Sequence, residues 1–232
     1  MSRHQLHKEL FDEFTRKASL KKEVYNITLQ CFNELKETIF QYVTQYEQYI
    51  KKSKQSYDIS FEVTQNKEFE IALKFGGDIL IFLMHTNIFE FPRNHEVMKT
   101  GYIKKDKTRS FHGIINIYNF LADSFKYDRT NDIGYLIGRV FINKDKSYFV
   151  EGKQELAFLY HNFGTEKFTK KAMDTLLETS IKYSINFDLL TPPYNEVMSV
   201  TVNEMQSTLA SIPLKTGKRL GFQFYADNQT QD

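Results

Sequence analysis

Glu151 and Lys153 stand two residues apart, directly after the apolar run Tyr148-Phe149-Val150. A carboxylate and an ammonium at a strand end are the parts needed to hold a hard divalent cation and steady a phosphate. Such a site needs a further hard oxygen ligand from elsewhere in the fold. Asp78, which opens the apolar run Ile79–Met84, is the carboxylate the sequence offers. A hairpin turning at Lys144-Asp145 would set Glu151 opposite Gly138, on a face with Leu136, Val140 and Ile142. A carboxylate on an apolar face needs a partner. A slip of one residue puts Glu151 beside Arg139, with Tyr135 on the arginine's face. Arg139, Glu151 and Tyr135 are therefore candidates for a structural ion pair or for the polar anchor of a ligand pocket. Lys104, Lys105, Lys107 and Arg109 form the densest basic run. If they converge with the other basic runs on one face, they make a phosphate-binding surface.

The Glu-x-Lys spacing of Glu151 and Lys153 resembles the third-strand half of metal-dependent restriction-type nucleases, and it covers three residues. That resemblance implies phosphodiester hydrolysis, with Glu151 on the metal and Lys153 orienting water or phosphate. Other chemistry is thinly represented. The six histidines form no HxH or HExxH pair, and no GxSxG, GxGxxG or GxxxxGK run is present. Lys215-Thr216-Gly217-Lys218 lacks the preceding glycine at the required spacing. No metal site and no cofactor is expected.

Composition narrows the classes further. The 232 residues are 41% hydrophobic and 15% aromatic, with 21 Phe and 14 Tyr, enough to fill a core. A net charge of +2 gives no global electrostatic case for nucleic acid or an anionic membrane. The lone Cys31 has no internal disulfide partner and falls on the apolar stripe of a helix, where a free cysteine serves as a small hydrophobe. The polar start reads as no signal peptide, and Ile79–Met84 is far too short to span a bilayer. The chain is expected to be cytoplasmic.

The elements that position these residues follow from periodicity. Leu6, Leu10, Phe11 and Phe14 predict a first helix over 4–16. Ser19 would cap a second, whose stripe runs through Leu20, Val24, Ile27, Cys31, Leu35, Ile39, Tyr42, Tyr46 and Ile50. This second helix, about 50 Å long, exceeds what a compact domain needs. It has either its own sheet or a second copy to pack on. From Tyr57 the period becomes 2, giving a half-buried hairpin over 57–75, a turn at Gly76-Gly77 and a strand over Ile79–Met84 covered on both faces. Residues 93–112, polar and basic, read as a mobile hairpin or loop. Strands follow over 113–119, 134–143 and 147–151, then helices from Thr165 and Thr191, and a last strand at Arg219–Tyr225.

The expected fold is α+β. Two N-terminal helices, the second long, precede an antiparallel sheet of about six to eight strands, with two C-terminal helices on one face. The divisions are a helical stem over 1–55, a sheet domain over 56–226 and a polar tail over 227–232. A long helix entering such a sheet has the general layout of small sensor domains of the PAS or GAF kind, by analogy of fold alone. The leading functional expectation is a non-enzymatic binding or regulatory module, homodimeric through the helix at 19–52. Its ligand or protein partner is unspecified, with neither nucleic acid nor membrane among its partners. The alternatives are the metal-dependent phosphodiesterase and a subunit of a larger assembly with Tyr102 and Tyr127 as contact points.

Overall fold

A single helix, α1 (Arg3–Lys52), runs unbroken for 50 residues, or about 75 Å. The expected break at Ser19 is absent. Arg16, Lys17 and Ala18 are good helix formers, and no glycine or proline interrupts the joint, so the cap is not used. The computed structural model describes residues 3–53, 59–65, 67–130, 132–152, 156, 163–188, 191, 193–203 and 205–206.

Seven strands form one antiparallel sheet: β1 (Phe61–Thr64), β2 (Glu70–Phe75), β3 (Asp78–Met84), β4 (Phe89–Glu90), β5 (Phe111–Leu121), β6 (Tyr135–Asn143) and β7 (Tyr148–Gly152). The order is β1-β2-β3-β5-β6-β7, with the short β4 beside the start of β5. The fold class is α+β. Gly76 and Gly77 close the β2–β3 hairpin, and Gly76 takes φ 54°, as the first central position of a two-residue hairpin turn demands.

One face of the sheet carries the main core. Ile71, Leu73, Leu80, Phe82, Ile115, Ile117, Val140 and Val150 meet Phe32, Leu35 and Ile39 of α1 and Leu176 and Leu177 of α4 (Lys170–Ile185). The long helix therefore lies on its own sheet. The stem expected as a separate part shares this core from Cys31 to Val43. Thr28 shows how close the approach is. Its hydroxyl donates to the Val24 carbonyl at 2.8 Å, and a Cβ on Gly113 would lie 2.2 Å from its Oγ1, so only glycine fits on β5 beneath it. Burial pushes the Cys31 thiol up to about 12, and the side chain packs as a small hydrophobe in the core.

The opposite face of the sheet is less covered. In β3, Leu80, Phe82 and Met84 are buried while Ile79 and Ile81 are half-buried and Leu83 is exposed, so the strand is not covered on both faces as its unbroken apolar run suggested. The upper part of this face is roofed by residues 91–110. Expected as a hairpin or loop, the stretch folds into tight helical turns. His95, Thr100 and Asp106 cap them, accepting from the backbone N–H of Val97, Ile103 and Thr108. The middle turn is α2 (Gly101–Lys105), which buries Ile103. A short α3 (Ala122–Lys126) follows β5, and the fourth expected helix is broken after α5 (Tyr194–Val197), with helical residues resuming at 202. The strand expected at 219–225 and the tail lie outside the described residues.

Candidate functional site

The β6–β7 hairpin pairs Ile142 with Tyr148 and Arg139 with Glu151. Its connection is one residue longer than a symmetric turn, because Lys146 occupies the left-handed region at φ 54°. The register expected from a Lys144-Asp145 turn centre is thereby moved by one, and Glu151 faces Arg139 rather than Gly138. Arg139 Nε donates to Glu151 Oε2 at 2.8 Å, and Nη2 donates to the same oxygen. The side chains are 41% and 54% exposed, so the pair adds no more than about 1 kcal/mol. Each charge is nonetheless neutralised by the other. A shallow cleft of about 190 Å³ beside them is lined by Leu136, Gly138 and Gly152.

Tyr135 does not join this pair. Between Tyr118↔Leu136 and Ile117↔Gly138, β6 carries one extra residue, and the bulge reverses which parity faces the core. Tyr135 therefore packs edge-on to Phe187 at 5.6 Å in the main core, on the face away from Arg139.

Asp78 is equally distant from Glu151. Their strands are three steps apart in the sheet, about 14 Å, and the row through Glu151, Arg139 and Asn116 meets β3 at Leu83, about 16 Å along the strand from Asp78. Two carboxylates so placed do not share one cation, whose ligand distances are about 2.0–2.6 Å. Asp78 instead accepts from Asn119 Nδ2 at 3.2 Å. Lys153 lies outside the described residues. Among the described residues, no group of three His, Cys, Asp or Glu side chains could hold a metal ion.

The basic run divides, and the basic residues at 54 and 215–219 lie outside the described residues. Lys104, Lys105 and Lys107 are exposed, whereas Arg109 turns inward. Its Nε donates to Asp145 Oδ2 at 2.9 Å, its Nη1 to the Tyr102 carbonyl at 3.1 Å, and its guanidinium stacks 4.4 Å from the Tyr102 ring. Tyr102 donates to the same carboxylate oxygen at 2.7 Å. Burial works against the Asp145 charge, but these donors hold its carboxyl below the usual range. Lys144 reaches Asp106 at 2.7 Å and holds that carboxyl lower still. The network ties the roof over residues 91–110 to the β6–β7 turn.

Under that roof lies a cluster the sequence reading missed. His112 stacks on Phe91 at 3.8 Å, meets Phe141 edge-on at 5.1 Å, and lies close to His95 through Phe91. Its Nδ1 is 3.0 Å from the Ser110 carbonyl and must carry the proton. Burial lowers its pKa to about 4, so the ring is neutral. The signal was present as the aromatic-histidine density of 89–95, 111–112 and 141–149, which had been divided among separate elements.

The surface that stands apart is on α1. Every residue from His4 to Ser19 is exposed, including Leu6 at 57%, Leu10 at 62%, Phe11 at 65% and Phe14 at 68%. Leu6, Leu10 and Phe14 precede Val24, Thr28 and Phe32 by about five turns, so they lie on the same helical face. The sheet covers that face from Val24 onward and leaves it bare before Leu20. Where the cover begins, Lys21, Lys22 and Tyr25 of α1 form a ledge with Thr86 and Phe89, enclosing about 630 Å³.

No known protein family, curated protein or solved structure matches this chain. Among the described residues, no helix is long and apolar enough to cross a membrane.

Proposed function

We propose that the chain is a non-catalytic protein-binding module whose working surface is the bare apolar face of α1 over His4–Ser19. One observation carries this reading. A helical face that packs a core over Val24–Val43 continues in line for about four turns with none of the described residues packed on it. Four large apolar side chains on one exposed stretch mark an interaction site rather than the scattered exposure of an ordinary surface. An amphipathic helix presents such anchors at i, i+4 and i+8, as Leu6, Leu10 and Phe14 do here. Of the candidate site residues, Glu151 is paired with Arg139, Arg109 with Asp145, and Asp78 accepts from Asn119.

A photoreactive phenylalanine analogue at Phe14, with one at exposed Gln41 as control, tests this in the producing cell. The expected result is a discrete protein-sized adduct from position 14 and none from position 41. Equal yields from the two positions, or adducts of lipid mass alone, contradict it.

A further inference from the structure

The geometry points to the ledge between α1 and the β3–β4 connection as a binding site for a small aromatic phosphate of mononucleotide size. This goes beyond the reading of the bare face and holds whichever protein covers that face. Three observations carry it.

The first is charge without an answer. The ledge is lined from α1 by Lys21, Lys22 and Tyr25 and from the connection by Thr86, Asn87 and Phe89, so its walls hold two ammonium groups and no carboxylate. Arg16 and Lys17 each have an acidic residue one turn earlier, Asp12 and Glu13. Lys21 and Lys22 have none three or four positions away in either direction. Among the described residues neither enters an ion pair. Glu90, the acidic neighbour of Phe89, instead accepts from the Ser110 hydroxyl at 3.3 Å. Two ammonium groups on one cavity favour a doubly charged anion, and lysine binds phosphate as a point charge.

The second is a pair of rings beside those cations. Phe89 is 37% exposed, and Tyr25 is half-buried on the facing element. A flat aromatic group has a ring face to stack on here, which a bare inorganic anion does not use. The Thr86 hydroxyl and the Asn87 amide add neutral donors and acceptors of the kind that pair with the edge of a base.

The third is a wall held in place. The Asn87 backbone N–H donates to His85 Nδ1 at 3.0 Å, and the His85 backbone N–H donates to the Ile114 carbonyl at 2.8 Å. The His85 ring meets Phe89 edge-on at 4.8 Å, and Phe89 pairs with His112 of β5. A wall already ordered costs a ligand less to engage. The space of about 630 Å³ falls within the range of about 300–1,000 Å³ usual for small-molecule sites.

Isothermal titration of the full chain with adenosine monophosphate, inorganic phosphate and adenosine tests the proposal. Adenosine monophosphate is expected to bind saturably with a Kd of about 10–500 μM, at least tenfold tighter than either inorganic phosphate or adenosine. Added salt should weaken it, because the two cations are exposed. The double variant Lys21→Ala/Lys22→Ala should lose at least tenfold in affinity, and Phe89→Leu, which stays apolar but removes the ring face, at least threefold. Lys104→Ala/Lys105→Ala, an exposed lysine pair elsewhere, should bind as the wild type does. Inorganic phosphate or adenosine binding as tightly as the nucleotide would overturn the proposal, the former meaning an adventitious ion only. Unchanged affinity in the Lys21/Lys22 double variant, or no saturation up to about 10 mM nucleotide, overturns it too.

Discussion

Leu35→Ala is expected to lower the free energy of unfolding by about 2–5 kcal/mol, and Leu10→Ala to change it by no more than about 0.5 kcal/mol. The two leucines lie on the same face of one helix, about seven turns apart. Leu35 is fully buried among the sheet and α4, so truncation removes its transfer energy and leaves a cavity that the close-packed strands cannot collapse around. Leu10 is 62% exposed and touches no core. Denaturant melts at dilute protein concentration measure both. Equal losses would show that the N-terminal turns of α1 are covered within the chain.

Acidification should cost about 3 kcal/mol of stability through His112 alone. Its pKa in the fold is about 4, against the ordinary 6.5 of the unfolded chain. Between those values the unfolded chain binds a proton that the folded ring, packed on Phe91 and Phe141 with His95 and Arg139 nearby, does not accept. Above pH 6.5 this group has no effect. The loss grows as pH drops through the window and is complete below about pH 4. In His112→Phe the ring stack is kept, and the Ser110 carbonyl still accepts from the Phe91 N–H. The variant should therefore show a shallower fall in stability from pH 6.5 to 4. Parallel curves for wild type and variant would rule out a buried neutral imidazole.

The sequence revealed elements better than their joints. The stripe from Leu20 to Ile50 and the alternation in β1 and β2 are strong periodic signals, and each lies in an element of the expected type, although α1 begins at Arg3 rather than Ser19 and β1 at Phe61. What was missed turns on one-residue events that periodicity does not record. A left-handed Lys146 moved the register of Glu151, and an extra residue in β6 turned Tyr135 to the other face. The same is true of the roof over 91–110, where capping by His95, Thr100 and Asp106 made ordered turns out of a stretch whose charge read as a loop. Leu6, Leu10, Phe11 and Phe14 were legible as a helical face. Their exposure was not, because it depends on where the sheet ends, and that is a property of the assembled fold.

Amide hydrogen exchange of the purified chain, at a concentration where native mass spectrometry shows only monomer, tests the central claim most directly. A helix without tertiary cover is marginal in water, while core elements open only near the global free energy. Residues 4–19 are expected to exchange within a few powers of ten of the free-peptide rate while Val24–Val43 stay protected to the limit set by global unfolding. If residues 4–19 of the monomer are protected as strongly as 24–43, the apolar face is already covered and is not a binding surface.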